Sequence, residues 1–198
     1  MRAAGLGAGL ATALLDILKG AASVWLAQAL VPESHLLHVL APIAAIIGHN
    51  HSIFLPEFDE NRKFIRLRGG AGGAPSLGGA VGLWPPSILV ILPLGALTFF
   101  SIGIASVTTL AVAFFVTIVF AIRAALGMMP WFDVLYGLAA GILLIWALRP
   151  NIKKLFAGKE RVVNLSLNGW IRNKREAAKD RAGQDKELDK ETSRQGNK

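Results

Sequence analysis

The sequence predicts an all-α, polytopic integral membrane protein: a helical bundle of about six spans, followed by a polar cytoplasmic C-terminal tail. Three observations predict it. From Gly69 to Ile122, 54 consecutive residues include no Asp, Glu, Lys or Arg. Hydrophobic residues make up 53% of the 198 and charged residues 17%, with a mean hydropathy of +0.49. A soluble domain carries about 25% charged residues, and a helical crossing needs roughly 20 apolar ones. Third, the net charge of +8 is unevenly placed. Residues 1–148 hold seven Lys/Arg against six acids, 149–168 hold five against one, and 169–198 nine against six. The excess follows the last apolar segment, which reads as a topology signal and as contact with anionic membrane lipid. No basic–aromatic ladder supports a nucleic-acid partner. Cysteine is absent, which excludes disulfides, thiolate catalysis and thiolate metal sites.

The first span is expected over residues 8–30. Arg2, the apolar run and the small residues Ala27 and Ala29 also suit a signal peptide, but Asp16 and Lys19 interrupt that run and its length suits a retained span. Pro32-Glu33-Ser34 makes a turn, and a second span follows from 35 or 36 to 55. Residues 56–68 are polar and read as a loop. Trp84-Pro85-Pro86 divides the uncharged run, because proline cannot continue a helix and restricts its predecessor. A second break falls at Gly103, within 101–106. The resulting spans are a short one at 73–83, then 87–100 and 104–126. Met129-Pro130-Trp131 precedes the last, at 131–148.

Six crossings put residue 1, the loop 56–72 and the tail from 149 on one side. That side then holds Arg2, four loop cations and fourteen tail cations, against Arg123 alone on the other. By the positive-inside rule it is the cytoplasmic side. Five crossings would set the basic loop and basic tail on opposite faces. Residues 1–165 are expected as the membrane domain and 166–198 as the charged tail, with Trp170-Ile171 as an interfacial anchor.

The stretch Arg66-Leu67-Arg68-Gly69-Gly70-Ala71-Gly72-Gly73-Ala74-Pro75-Ser76 is the first candidate for chemistry. Successive glycines let backbone N–H groups approach a phosphate, and a helix beginning near Ala74 would aim its positive end there. Arg66 and Arg68 add charge-assisted donors. The same glycines also suit a flexible re-entrant turn. The pattern lacks the Gly-Lys-Ser/Thr ending of a Walker A loop. Asp16 and Lys19, three apart, share a helix face inside an apolar segment; they read as a self-neutralising pair or as a brace behind the site. His49-Asn50-His51 closes the second span as a polar cap or supplies a general base. No third ligand stands near enough in sequence to suggest a metal. His35 and His38 fall on the side opposite the loop. Lys153, Lys154 and Lys159 suit headgroup anchoring, which leaves Asn151, Gly158 and Glu160 unexplained. Ser106 is placed to donate to a phosphate or to its own helix.

Together these pieces resemble the acyl-phosphate:glycerol-3-phosphate acyltransferases, the PlsY type of bacterial phospholipid synthesis. The matching segments are Leu15-Asp16-Ile17-Leu18-Lys19-Gly20, Gly48-His49 with Phe54, and Arg68-Gly69-Gly70-x-Gly72. Ala105-Ser106 and Asn151-Ile152-Lys153-Lys154-Leu155 with Gly158 and Glu160 complete the set. The resemblance implies acyl transfer from acyl phosphate to the 1-hydroxyl of glycerol 3-phosphate, giving lysophosphatidic acid and phosphate at a bacterial inner membrane, with no metal or coenzyme. It implies His49 and Asn151 as catalytic. Arg2, Arg68, Gly69, Gly70, Gly72, Gly73, Ser106, Gly158 and Glu160 are implied to bind substrate, with Asp16 and Lys19 in support.

Three departures from the family pattern stand out. Of the family's first block, an extra span and a polar loop ending in Asn-Val-x-Arg, only Arg2 has a counterpart, so a shortened N-terminus is expected. Ala71 stands where the family loop has lysine, and Gly48-His49-Asn50-His51-Ser52 replaces Gly-His-x-x-Pro. These departures keep a rival in view: a divergent or truncated, non-catalytic membrane relative with a lipid-binding or assembly role. A transporter has the paired intramembrane charges as its sole support.

Overall fold

The computed structural model describes residues 5–67 and 69–175. Helix α1 (Gly5–Leu30) is built from Ala and Leu and stops before Val31-Pro32. Helix α2 (His35–Asn50) ends five residues earlier than the apolar pattern suggests. There the polar side chains of His51 and Ser52 compete with the helix: Ser52 Oγ accepts from the Phe54 N–H, and His51 Nδ1 lies 3.2 Å from the Ile47 carbonyl oxygen.

The segment read as a polar loop is instead an antiparallel ribbon, the one exception to the helical class among the described residues. Strand β1 (Pro56–Phe58) pairs with β2 (Phe64–Leu67). Asp59 closes the turn, its Oδ1 accepting from the N–H groups of Asn61 (2.9 Å) and Lys63 (2.7 Å), while Arg62 takes a left-handed φ of 59°. Phe58 and Phe64 meet edge-to-face at 6.3 Å across the pair. The short ribbon was hidden by its charge, although Phe64-Ile65-Arg66-Leu67 has the β-formers for it.

Helix α3 (Gly73–Leu83) matches its expected limits and halts at Trp84, ahead of Pro85. A 3₁₀ turn at Pro85–Ser87 leads into α4 (Ile88–Ile102), which closes on Gly103 at φ +74°. Helices α5 (Ala105–Ala125) and α6 (Trp131–Ala147) follow. Helix α7 (Arg149–Phe156) turns away from α6 by 68°. From sequence this stretch offers headgroup-anchoring lysines and no helix; Pro150 sits in its first turn, where the missing N–H costs nothing. Residues 167–175 are helical again, and buried Ser166 packs beside Gly103 at the α4–α5 turn.

Helix α3 packs most closely against α1. A Cβ at Gly78 would strike the Ile17 carbonyl, and one at Gly82 would meet Val24, so glycines four apart let the two backbones touch. Tyr136 of α6, fully buried, donates its hydroxyl to the Ser76 carbonyl at 2.6 Å. Ile46, Ile91, Val116, Phe120 and Leu144 complete the interior. Leu14, Leu30, Leu89, Phe114 and Ile142 point outward, each at least 61% exposed. Glycines where helices touch and large apolar side chains on the outer surface are the arrangement lipid selects. Among the described residues, Gly7–Leu30, Pro85–Ile102 and Ala105–Ala125 are long and apolar enough to cross a membrane, and the bent α6–α7 pair makes a fourth candidate.

Candidate functional site

Three glycines lie against the C-terminal end of α2. The Gly70 N–H donates to the His49 carbonyl at 3.1 Å. A Cβ on Gly69 would overlap the carbonyls of His49 and Asn50, one on Gly70 would overlap His49 Nε2, and one on Gly72 would crowd Asn50 Oδ1. Gly72 also has φ +85° and caps the N-terminus of α3. The glycines are therefore required first by close approach to α2, a reason the sequence pattern did not reveal. Asn50 Oδ1 is buried with no hydrogen-bond partner among the described residues.

His49 is itself held from behind. Lys19 Nζ lies 3.0 Å from Asp16 Oδ1 and 3.1 Å from His49 Nδ1, and Asp16 Oδ1 lies 3.3 Å from that same Nδ1. Nδ1 thus meets both a donor and an acceptor, while Nε2 is turned toward Gly70. The i, i+3 pair on α1 thus fixes the ring against which the loop rests. The two histidines of His49-Asn50-His51 diverge, His51 lying beside Ile47 rather than the Asp16–Lys19 pair.

A second cluster gathers on Glu160. Its Oε1 accepts from Asn151 Nδ2 at 2.9 Å and from Ser106 Oγ at 3.2 Å. Gly158, at φ +67°, reverses the chain after α7 so that Glu160 can return toward α5. Ser106 is 3% exposed. The clusters flank the same end of the bundle: Gly73 abuts Thr109, one turn along α5 from Ser106. His35 lies at the start of α2, far along that helix from His49, with Nε2 2.8 Å from Asp133 Oδ1.

Beside the glycine loop opens a cavity of about 620 Å³. Gly69, Gly70, Asn50 and His51 form one side of its lining, and Trp146, Arg149 and Lys153 contribute the rest of its polar and aromatic surface. Sequence reasoning passed over Arg149 and took Lys153 for a headgroup anchor. Their i, i+4 spacing was the available signal, but it gains meaning only once 149–156 is known to be a helix. Arg2 and Arg68, both expected to bind substrate, lie outside the described residues, as does the tail beyond 175.

Comparison with known proteins identifies the family. The family model described as glycerol-3-phosphate acyltransferase matches residues 1–158. The glycerol-3-phosphate acyltransferase of Rubrobacter xylanophilus is 37% identical over 161 residues, covering 81% of this chain and 73% of that protein. Glycerol-3-phosphate acyltransferase 2 of Moorella thermoacetica is 37% identical over 155 residues, covering 77% and 70%. Among solved structures, the lysophosphatidic acid form of PlsY (YgiH), an integral membrane glycerol 3-phosphate acyltransferase, shares the fold with a TM-score of 0.68. Its sequence identity is 22%, over 83% of this chain and 76% of that one. The chain belongs to the glycerol-3-phosphate acyltransferase family.

Proposed function

We propose that this membrane acyltransferase, acting on glycerol 3-phosphate in phospholipid synthesis as its family does, takes its acyl group from acyl phosphate. The observation that carries the reading is the glycine loop, pinned on His49 beside an open cavity at the head of α3. Such a loop presents backbone N–H groups and a positive helix end to an anion.

An acyl phosphate is already activated, so the protein has to align two anionic substrates rather than supply a nucleophile. The glycerol 1-hydroxyl oxygen attacks the acyl carbonyl carbon. The ester bond forms, the bond from that carbon to the phosphate oxygen breaks, and inorganic phosphate leaves with the bonding pair. Backbone donors of Gly69 and of Ala71 to Gly73, with Arg68, hold one phosphate, the Gly70 N–H being taken by the His49 carbonyl. Arg2 and the second Nδ2 proton of Asn151 help hold the other, with Ser106 at hand once its proton leaves Glu160. His49 stands beside the loop with Nδ1 toward Lys19 and Asp16, and either His49 or the departing phosphate takes the hydroxyl proton. Glu160, being anionic, orients Ser106 and Asn151 rather than touching phosphate.

In the topology that goes with this reading, six crossings leave the loop and the tail in the cytoplasm of a bacterial cell, with the acyl chain lying between spans in the inner membrane. The Lys/Arg asymmetry supports it.

The purified protein should convert acyl phosphate and glycerol 3-phosphate to lysophosphatidic acid without added metal, with acyl-CoA a poor donor. Gly70→Val, which collides with His49, should abolish turnover while the protein still inserts in the membrane. A folded wild type inert with acyl phosphate would reject the donor assignment. It would favour the non-catalytic reading, for which Ala71 in place of the family lysine is the specific support.

A further inference from the structure

We infer that helix α7 supplies the cationic wall of a phosphate site, with Lys153 and Arg149 facing the glycine loop across the cavity. The inference rests on the acyltransferase reading of that site and adds residues to it. From Gly69 to Gly73 the loop reads Gly-Gly-Ala-Gly-Gly and contains no cationic side chain. Backbone N–H groups supply dipoles but no net charge. A phosphate dianion held at the end of an apolar bundle needs opposite charge close by. Arg149 and Lys153 line the same cavity as Gly69 and Gly70, and among the described residues no acidic one lines it.

The helix explains why these two cations act together. They stand four apart on α7 and so share one face. Arg149 is fixed in place: its Nε donates to the Trp146 carbonyl at 3.0 Å, and its guanidinium carbon sits 3.4 Å from the Trp146 ring centroid. The donors left for a ligand are on its η nitrogens. Lys153 is a point charge on a flexible stem, suited to meeting a phosphate from the other side. Lys154, the adjacent residue, does not line the cavity. That difference separates a phosphate site from general attraction to anionic headgroups, in which both lysines would act alike. Leu67 and Ala147 on the same cavity give it an apolar flank, which fits a phosphate carried on an acyl chain.

The test uses the full chain in detergent, with inorganic phosphate and glycerol 3-phosphate as separate probes. Their binding is read by calorimetric titration, and turnover is measured in parallel. Lys153→Ala should weaken binding of at least one probe by about tenfold or more. It should raise the corresponding KM more than it lowers kcat. Lys153→Arg should restore most of the loss, and Lys154→Ala should change neither probe. A loss confined to inorganic phosphate assigns the wall to the leaving group; a loss confined to glycerol 3-phosphate assigns it to the acceptor. Wild-type binding of both probes by folded Lys153→Ala overturns the inference, as does an equal loss in Lys154→Ala, or failure of the wild type to bind either probe. Turnover with an unaltered Lys153→Ala sinks this inference alone. Lys153-dependent binding without any turnover sinks the acyl-phosphate reading and leaves the phosphate site standing.

Discussion

Glu160 shows how much one carboxylate can organise. It lies nine residues beyond Asn151 and 54 beyond Ser106, yet its Oε1 accepts from both. Hydrogen bonds to a charged acceptor contribute roughly 1.5–3 kcal/mol each, more than neutral ones. The consequence for activity depends on what replaces the group. In Glu160→Gln a carbonyl oxygen can still accept both bonds, so the geometry should survive and kcat should fall by less than about tenfold. In Glu160→Ala neither bond remains, Ser106 is left buried without that partner, and Asn151 is released. We expect that variant to lose about a hundredfold in kcat/KM, as misplaced binding groups do. Steady-state kinetics of both variants, beside their thermal midpoints, decide the matter; equal losses in the two would mean that the charge and not the geometry is what counts. The roles of Asp16 and Lys19 were half legible in the sequence. Their i, i+3 spacing gave a shared face, but the partner that gives them meaning, His49, is thirty residues from Lys19 and comes into reach only through tertiary packing.

At the scale of elements, the helices were the easy part to read, because long apolar runs bounded by Pro and Gly leave few alternatives. Helix α3 fell on its expected limits because Gly72 and Trp84-Pro85 punctuate both ends. The ribbon β1–β2 and helix α7 were missed, since a short charged strand and a short charged helix lack an apolar period to announce them. Glycine, too, was read incompletely: the loop glycines suggested a ligand or a re-entrant turn, and α3's own glycines suggested nothing. Gly78 and Gly82 in fact set the distance between α1 and α3, and that packing carries the loop at the head of α3. Gly78→Val should therefore act like a core mutation. Its Cβ would enter the backbone at Ile17, which cannot move aside as a side chain tip can. Overpacking of this kind typically costs 1–3 kcal/mol, and a backbone collision should reach at least the upper part of that range. Gly141→Ala, whose Cβ would only just reach Ala113 at 4.0 Å, is the matched control. The first variant should lower the thermal midpoint and the yield in membranes, and the second should change neither. A stable, fully active Gly78→Val would show that α1 and α3 do not pack through this face.

For the whole molecule, the open question is how an 11-residue helix takes part in a membrane bundle. At 1.5 Å per residue α3 is about 16 Å long, roughly half the hydrocarbon thickness. Length alone would make it a re-entrant piece, and the count of crossings would change with it. Its contacts argue otherwise. At its start Gly73 abuts Thr109, near the beginning of α5; just past its end, Trp84 receives the Arg123 guanidinium at 3.8 Å, near the end of α5. Helix α3 therefore runs beside α5 in the same direction and reaches the far end of that helix, with α1 covering its other side. Buried among neighbours, a short helix need not satisfy the bilayer by itself, because protein rather than lipid surrounds its ends. These contacts support the proposed six crossings, which would put Asn61 in the ribbon turn on the same side as Lys159 beyond α7. Absence of native cysteine makes this directly measurable. Single cysteines at Asn61 and Lys159 should both resist an impermeant thiol reagent in intact cells and both react once the membrane is opened. A cysteine at Met128, in the turn after Arg123, should react from outside without opening it. If Asn61 and Lys159 label from opposite sides, α3 turns back within the membrane, and the glycine loop and α7 could not face one cavity from the cytoplasm.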